Sequence, residues 1–219
     1  MFDGRGFSSQ VLMPGSREEA FVGRGLIGGA CLAQMRDPVL AVHTSAAMGE
    51  DVTYTNKVSQ NLHAELLLHR LGRVVLCGQG STVEGARMVR AYVTHAGVDG
   101  KDFMLYDGSG LSDHDLVAPR AIVKFLGFAA IQPWFESFKA SLPVGGVDGS
   151  LGARFKGLQP GTLSAKTGTL GESRALSGYV TTAGGKTLVF SVMVDDHLPG
   201  TNADRTIMDK IVETIAGQN

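Results

Sequence analysis

The sequence predicts an α/β protein in which helices pack against an antiparallel sheet. First, amphipathic helical segments fill much of residues 51–141. Second, the last third contains three strand-like runs rich in Val, Leu, Thr and Phe, "LSAKTGT", "SRALSGYVTTA" and "KTLVFSVMVDD". Third, the last two runs flank Gly184-Gly185, which is typical of a hairpin turn. Helices followed by a meander and one more helix favour a layered domain.

Each element has its own local signal. Apolar spacing predicts one helix over residues 51–71, which we expect to stop at Gly72. The tetrapeptide "STVE", residues 81–84, is a capping box that opens a second helix ending near Gly97. Further predicted elements are a short strand over 38–46, a polar loop over 105–120 leading into a helix, a helix over 132–141 and a closing helix from about 202 to 215.

The composition narrows the function classes. The 219 residues carry a formal net charge of -1, with 43% hydrophobic and 19% charged residues, as in ordinary globular proteins. This charge balance argues against nucleic-acid binding, and no apolar run reaches the roughly 18 residues of a membrane span. Cys31 and Cys77 indicate neither a disulfide framework nor a metal site, and two buried thiols are expected.

Three short sequence features indicate a function when they are considered together. Lys166-Thr167-Gly168 lies on the first predicted strand, and "KVSQNLHAE" places Ser59 and Asn61 two positions apart. The third feature is a pair of loops, "DGSGLS" (107–112) and "DGSL" (148–151). Taken singly, each has an ordinary interpretation: a solvated helix serine, an exposed strand lysine and plain turn chemistry. Taken together and in this order, Ser-x-Asn and Lys-Thr-Gly are typical of penicillin-interacting serine enzymes.

The surrounding residues extend this match. The segments "HTSAAM", "KVSQNLHAELLL", "YDGSGLS", "GGVDGSL" and "LSAKTGTL…LSGYVTTAGGK" closely resemble the class C low-molecular-mass penicillin-binding proteins. That family comprises D-alanyl-D-alanine carboxypeptidases and endopeptidases of peptidoglycan. The resemblance runs from about Pro38 to the C-terminus. It implies a partial penicillin-binding-protein/serine β-lactamase-like transpeptidase fold over residues 38–219, with residues 1–37 as the remnant of an inserted upstream domain.

The resemblance also implies roles for individual residues. Ser59, Asn61 and Lys166 would be catalytic: Ser59 relays a proton to the leaving amine, Asn61 orients the substrate amide, and Lys166 supplies positive charge. Thr167, Gly168 and Thr169 would bind substrate. In this scheme Thr167 bonds the terminal carboxylate, Gly168 leaves the strand edge open, and the Thr169 N–H is an oxyanion donor. No cofactor or metal is implied, and the expected ligands are a peptidoglycan stem peptide and, for the full-length enzyme, β-lactams.

The family's nucleophile motif is missing from this sequence. The attacking serine of the family sits in Ser-x-x-Lys, and no serine here is followed by a lysine three positions later. We therefore expect the C-terminal half of such an enzyme, inactive in isolation. The alternatives are a natural non-catalytic module that binds D-Ala-terminated peptides, and an unrelated α/β domain whose motifs are coincidental.

Two further expectations concern location and metals. The N-terminus has no basic start and no apolar h-region, so no secretion signal is predicted in the sequence as it stands. The resemblance nevertheless implies a periplasmic or extracytoplasmic place for the full-length parent. His63, Glu65 and His69 do not have the His-Glu-x-x-His spacing of a zinc helix, so ordinary helix residues are expected there.

Overall fold

The structure is a computed structural model that describes residues 45–76, 79–198 and 200–218. The described residues divide into two compact units, one drawn from 45–51 and 61–116, the other from 52–60 and 117–218. Both cysteines, the predicted boundary at residue 37 and nearly all of the predicted strand over 38–46 lie outside the described residues. Those predictions therefore stay predictions.

The described residues contain helices, short strands and one longer sheet. The helices are α1 (Met48–Val58), α2 (Asn61–Leu76), α3 (Thr82–His95), α4 (Pro119–Ala129), α5 (Phe135–Ser141) and α6 (Ala203–Ala216). The strands are β1 (Phe103–Met104), β2 (Leu116–Val117), β3 (Leu163–Leu170), β4 (Ser173–Thr181) and β5 (Thr187–Val194), with a 3₁₀ turn at Gly149–Leu151. Strands β1 and β2 pair with each other, and the second sheet has the order β3-β4-β5. Among the described helices, none is long and apolar enough to cross a membrane.

In the first unit, α2 and α3 approach each other closely at glycines. A Cβ on Gly85 would lie 2.2 Å from the Leu68 carbonyl oxygen, and one on Gly72 would lie 2.8 Å from Glu84 Cβ. The predicted stop at Gly72 is therefore wrong, because this glycine lies inside α2 and permits the helix contact. The capping box is confirmed: the Ser81 hydroxyl accepts from the Glu84 N–H, and the Glu84 carboxylate accepts from the Ser81 N–H.

The predicted single helix over residues 51–71 is also wrong, because it breaks at Ser59. Ser59 has a φ of 58°, a left-handed conformation that side chains other than Gly, Asn and Asp rarely adopt. Helix α1 ends before it, and the Gln60 N–H donates to the Thr55 carbonyl at 3.0 Å, as at the end of a Schellman motif. The serine of the Ser-x-Asn motif thus lies at a strained turn between two helices. Strain of this kind, of order 1–3 kcal/mol, is concentrated at functional sites.

The sheet of the second unit is the predicted meander. Strand β3 pairs antiparallel with β4, and β4 with β5, so that Lys166 lies opposite Ser177 and Ser177 opposite Ser191. The turn between β4 and β5 closes with a Gly185 N–H bond to the Thr182 carbonyl, and Gly185 has a φ of 78°. The hairpin at Gly184-Gly185 is therefore confirmed, and no segment lies between the two strands.

Helices cover both faces of this sheet. Leu176 and Val180 are fully buried in a cluster with Met208 and Val212 of α6. Tyr179 points to the other face, where its hydroxyl donates to the Leu126 carbonyl at 2.8 Å and burial raises its pKa to about 12. The expected alternation along β4 is confirmed, as is the α/β class. The closing helix matches its prediction within one residue, whereas the helix predicted over 132–141 begins at residue 135.

Candidate functional site

The second unit brings Ser59 and Lys166 together, although 107 positions separate them in the sequence. The Lys166 ammonium donates to Ser59 Oγ at 2.8 Å and to the Thr167 carbonyl at 2.7 Å. Ser59 is presented by the left-handed turn after α1, and Lys166 by the middle of β3. The expectation that these two side chains meet within hydrogen-bond reach is confirmed.

Among the described residues, no carboxylate pairs with the Lys166 ammonium. Its side chain is half-buried, and burial lowers the pKa of its ammonium below the ordinary lysine value. Within the described part of the chain, its hydrogen bonds go to neutral oxygens and to no carboxylate. A partly desolvated cation with two neutral partners is well suited to bind an anion, because the anion restores the charged form.

Thr167 and Ser150 form a hydroxyl pair beside this cation. Thr167 Oγ1 donates to Ser150 Oγ at 2.8 Å. Ser150 is exposed and belongs to the 3₁₀ turn of the "DGSL" loop, while Thr167 lies on β3. Sequence reasoning singled out this loop but gave Ser150 no role, since an Asp-Gly-Ser turn has an ordinary interpretation.

Strand β3 also offers an open backbone edge next to the side chains. Its beginning is occupied, because Ala165 N–H donates to Pro143 O and Leu163 O accepts from Gly145 N–H. Backbone groups of alternate residues point to the same edge, so the N–H groups of Thr167 and Thr169 also point away from β4. In the described part of the chain, no backbone partner pairs with β3 along this edge from Thr167 onward.

Neither the backbone conformation nor the packing at position 168 requires a glycine. Gly168 lacks the positive φ that favours glycine, and an added Cβ would only touch Ala175 Cβ at an ordinary 3.5 Å. Gly168 is exposed on β3, and its predicted role in substrate binding stays a prediction.

An ion pair that sequence reasoning missed fixes the two loops of the site. Lys57 Nζ contacts both Asp148 carboxylate oxygens, at 2.9 and 2.7 Å, and the Leu142 carbonyl at 2.6 Å. Asp148 also accepts from the Val144 N–H at 2.8 Å. Although burial raises the pKa of Asp148, the hydrogen bonds from Lys57 and Val144 outweigh it and hold this pKa below its usual range. Lys57 is two residues before Ser59 and Asp148 two before Ser150, so one contact tethers both segments.

Asn61 and the "DGSGLS" loop belong to the first unit. Asn61 is the exposed first residue of α2, so its predicted role stays a prediction. The Asp107 carboxylate accepts from the N–H groups of Gly110 and Ser112 at 2.6 and 2.9 Å, which is the turn chemistry expected of this loop. Glu65 accepts from Gly108 N–H at 2.7 Å and ties the loop to α2.

The predicted helix residues His63, Glu65 and His69 hydrogen-bond to protein groups. His63 contacts Asp51, and His69 contacts Glu65 and the Gly80 carbonyl. In residues 45–76, 79–198 and 200–218, no group of three or more possible metal ligands lies together.

The fold defines a class of protein. The structure resembles penicillin binding protein 4 (DacB) from Haemophilus influenzae, with a TM-score of 0.72 and 24% identity over 80% of this chain and 41% of that one. It also resembles a class A β-lactamase from Bacteroides cellulosilyticus, with a TM-score of 0.59 and 21% identity over 79% of this chain and 63% of that one. The predicted transpeptidase-like fold, shared by penicillin-binding proteins and β-lactamases, is confirmed.

The sequence then identifies the family within that class. A sequence model of the D-Ala-D-Ala carboxypeptidase 3 (S13) family matches residues 26–218, and the chain belongs to this family. It is 40% identical over 165 residues to a D-alanyl-D-alanine carboxypeptidase of Actinomadura sp. (strain R39), covering 73% of this chain. It is 27% identical over 178 residues to the D-alanyl-D-alanine carboxypeptidase DacB of H. influenzae, covering 80% of this chain. The matches span only 30% and 37% of those two relatives.

Proposed function

We propose that this chain forms the carboxylate-binding side of the active site of a serine-type D-Ala-D-Ala carboxypeptidase or endopeptidase. The substrate is a peptidoglycan stem peptide, and β-lactams are ligands of the full-length enzyme. The observation that carries the proposal is the contact between Lys166 Nζ and Ser59 Oγ at 2.8 Å, beside the open edge of β3. We place the parent protein outside the cytoplasmic membrane, where such a substrate is found.

The proposed reaction is acyl transfer in two steps. A serine hydroxyl attacks the carbonyl between the last two D-Ala residues, the terminal D-Ala leaves as an amine after gaining a proton, and water hydrolyses the resulting ester. Lys166 and Thr167 hold the terminal carboxylate, and the outward Thr169 N–H stabilises the oxyanion; a donor of this kind lowers the barrier by about 3–4 kcal/mol. Ser59 passes the proton to the leaving amine, and Asn61 orients the substrate amide.

Ser59 fits the proton-transfer role by its hydrogen-bond pattern. Lys166 donates to its oxygen, so the single Ser59 proton remains available to the leaving amine. The lowered pKa of Lys166 favours return of a proton to Ser59 after transfer. The nucleophile has no counterpart here, because no Ser-x-x-Lys occurs in the 219 residues.

A second function shares all of these contacts. The same groups suit a non-catalytic module that binds D-Ala-terminated peptides. The Lys166 ammonium, the hydroxyls of Ser59 and Thr167 and the open edge of β3 can bind a peptide without cleaving it. The DNA sequence upstream of the Met1 codon distinguishes the two proposals. A reading frame that continues into a Ser-x-x-Lys segment supports the carboxypeptidase, and a genuine start at Met1 supports the module.

The binding step is tested by titrating the chain with N-acetyl-D-Ala-D-Ala in a calorimeter. We expect weak, carboxylate-dependent binding that falls at least about tenfold in Lys166→Ala, because a carboxylate loses its charged partner. Lys186→Ala is the matched control, since Lys186 is exposed in the β4–β5 turn. Equal affinities of wild type and Lys166→Ala would refute the proposed role of Lys166.

A further inference from the structure

We propose that Lys57 is a positioning residue of this site, which holds Ser59 in its left-handed turn so that the serine meets the Lys166 ammonium. Asn56, its neighbour on α1, is a second point of attachment. The inference rests on the proposed function, because Ser59 has a part in a reaction only there. It goes beyond that function by naming what keeps the serine in place.

The turn at Ser59 needs support from its surroundings. A φ of 58° is rarely adopted by a residue with a side chain, and such a conformation persists only where neighbouring contacts fix it. Ser59 is exposed, and its Oγ accepts a hydrogen bond from Lys166. A single contact at an exposed side chain constrains the backbone only weakly. The residues that precede the turn therefore have to supply further support.

Two residues near the end of α1 supply that support. Asn56 Nδ2 donates to Ser141 Oγ at 2.8 Å, and Lys57 Nζ donates to the Leu142 carbonyl at 2.6 Å. Ser141 and Leu142 are 1% and 3% exposed, so water has little access to replace either bond. The Lys57 carbonyl oxygen also lies close to Gly149, where an added Cβ would be 2.7 Å from it. The end of α1 is thus fixed to the end of α5 and to the loop after it.

The loop after α5 is in turn hydrogen-bonded to β3. The Ala165 N–H donates to the Pro143 carbonyl at 2.9 Å. Pro143 directly follows Leu142, whose carbonyl Lys57 binds, and Lys166 directly follows Ala165. The loop therefore connects the support of the Ser59 turn to the strand that carries the ammonium.

These bonds and the contact between Lys166 and Ser59 form a closed ring. It runs from Ser59 back to Lys57, across to the loop after α5, from there to β3, and returns through the Lys166 ammonium to Ser59 Oγ. Each covalent step in this ring spans at most three consecutive residues. A ring of short steps leaves few backbone rotations that could move Ser59 relative to β3, which is the preorganisation that a reacting group needs. Removal of the Lys57 bonds opens the ring.

The charge of Lys57 does not compete with that of Lys166. Lys57 Nζ contacts both carboxylate oxygens of Asp148, at 2.9 and 2.7 Å, so these two charges compensate each other. The described hydrogen bonds of the Lys166 ammonium go to neutral oxygens. The two lysines therefore have different parts: Lys57 fixes the backbone of the turn, and Lys166 keeps its charge for an anion.

The test follows the Ser59 turn and the Lys166 side chain by NMR in the full 219-residue chain. The Cα shift and the HN–Hα coupling of Ser59 report its φ, and the ¹³Cε resonance of Lys166 reports its contact with Ser59. We expect Lys57→Met to remove the left-handed signature and to move the Lys166 resonance to its position in Ser59→Ala. Lys57→Arg keeps a cation for Asp148 and the Leu142 carbonyl, so both signals should stay close to those of the wild type.

A destabilised control separates positioning from folding. Val212→Ala makes a cavity in the core against α6, where Val212 is fully buried, and lowers stability without touching the turn. Its Ser59 and Lys166 signals should equal those of the wild type. Asn56→Ala removes a single hydrogen bond and should move the Lys166 resonance in the same direction as Lys57→Met, by a smaller amount. This variant decides the question if Lys57→Met does not fold, and an unchanged resonance then overturns the inference.

The same samples are titrated with N-acetyl-D-Ala-D-Ala to keep the two proposals apart. A chain that binds the peptide while folded Lys57→Met keeps the wild-type signals of Ser59 and Lys166 would overturn this inference alone, because the ion pair would then act only on stability. The same signal changes in Val212→Ala as in Lys57→Met would also overturn it. A wild-type chain that does not bind the peptide would overturn the proposed function, and this inference with it.

Discussion

The contact between Lys57 and Asp148 gives a quantitative test of how the site is held. In Lys57→Met, the aliphatic stem remains and the ammonium is removed. The variant loses the bond to the Leu142 carbonyl and both bonds to Asp148. Leu142 is 3% exposed, so its carbonyl has little access to water as a replacement partner.

The expected cost follows from those contacts. An unsatisfied buried acceptor costs about 1–3 kcal/mol. The Asp148 side chain is 42% exposed, so solvent screening reduces the ion-pair contribution to about 0.5–1 kcal/mol. We therefore expect Lys57→Met to lower the free energy of unfolding of the second unit by about 1.5–4 kcal/mol.

The assay is urea unfolding followed by tryptophan fluorescence. Trp134 is the single tryptophan of the sequence and belongs to the second unit, so its signal reports on that unit. With a slope of about 2 kcal/mol per molar urea, the midpoint should fall by roughly 0.8–2 M. Lys156→Met, at an exposed lysine of the same unit, should change it little. A Lys57→Met midpoint equal to that of Lys156→Met would refute the reasoning.

The same pair predicts how stability depends on pH. The pKa of Asp148 is lower in the folded than in the unfolded chain, so the folded state favours the carboxylate. Its stabilising contribution is fully present above the ordinary carboxyl pKa and is lost as the pH falls through the lowered value. The unfolding curves of wild type and Lys57→Met should therefore approach each other in acid.

Three further predictions concern two glycines and the lysine of the site. Gly178→Ala should destabilise the second unit by more than about 3 kcal/mol in urea unfolding, because its Cβ would lie 2.2 Å from the Ser164 carbonyl oxygen. Gly127→Ala, in α4 with open space around its Cβ, should stabilise it by about 0.5–1 kcal/mol, and a loss would contradict this account. Peptide affinity should fall as the pH rises through the lowered pKa of Lys166, whereas Lys166→Arg should keep its affinity there.

Much of the fold could be predicted from sequence because its signals are local. The capping box at Ser81, the Gly184-Gly185 hairpin and the alternation along β4 each depend on a few neighbouring residues. The break at Ser59 could not be predicted, because no glycine or proline marks it and the turn uses a left-handed serine. The predicted helix stop at Gly72 was wrong for the opposite reason. A glycine can end a helix, but inside a helix it can also permit close packing against a neighbouring helix.

The contact between Ser59 and Lys166 could be predicted from their motifs, whereas the ion pair that fixes the neighbouring loops could not. Ser59, Lys166 and Thr167 were named from their motifs, and the structure places them in the same unit. The contact of Lys57 with Asp148 joins residues 91 positions apart, and no spacing in the sequence points to it. The Asp-Gly-Ser sequence at residues 148–150 was the one sequence signal for this loop. It is too common to distinguish a loop fixed by an ion pair from an ordinary turn.

The most direct test of the central claim is a map of backbone amide shifts. The ¹⁵N-labelled chain is titrated with N-acetyl-D-Ala-D-Ala, and the amide resonances of β3 are followed by NMR. If the β3 edge and Lys166 bind the carboxyl end of the peptide, the Thr167 and Thr169 amides shift and saturate together, and Lys166→Ala removes the effect. Shifts confined to other strands, or none at millimolar peptide, would contradict the claim that this strand is the substrate-binding wall.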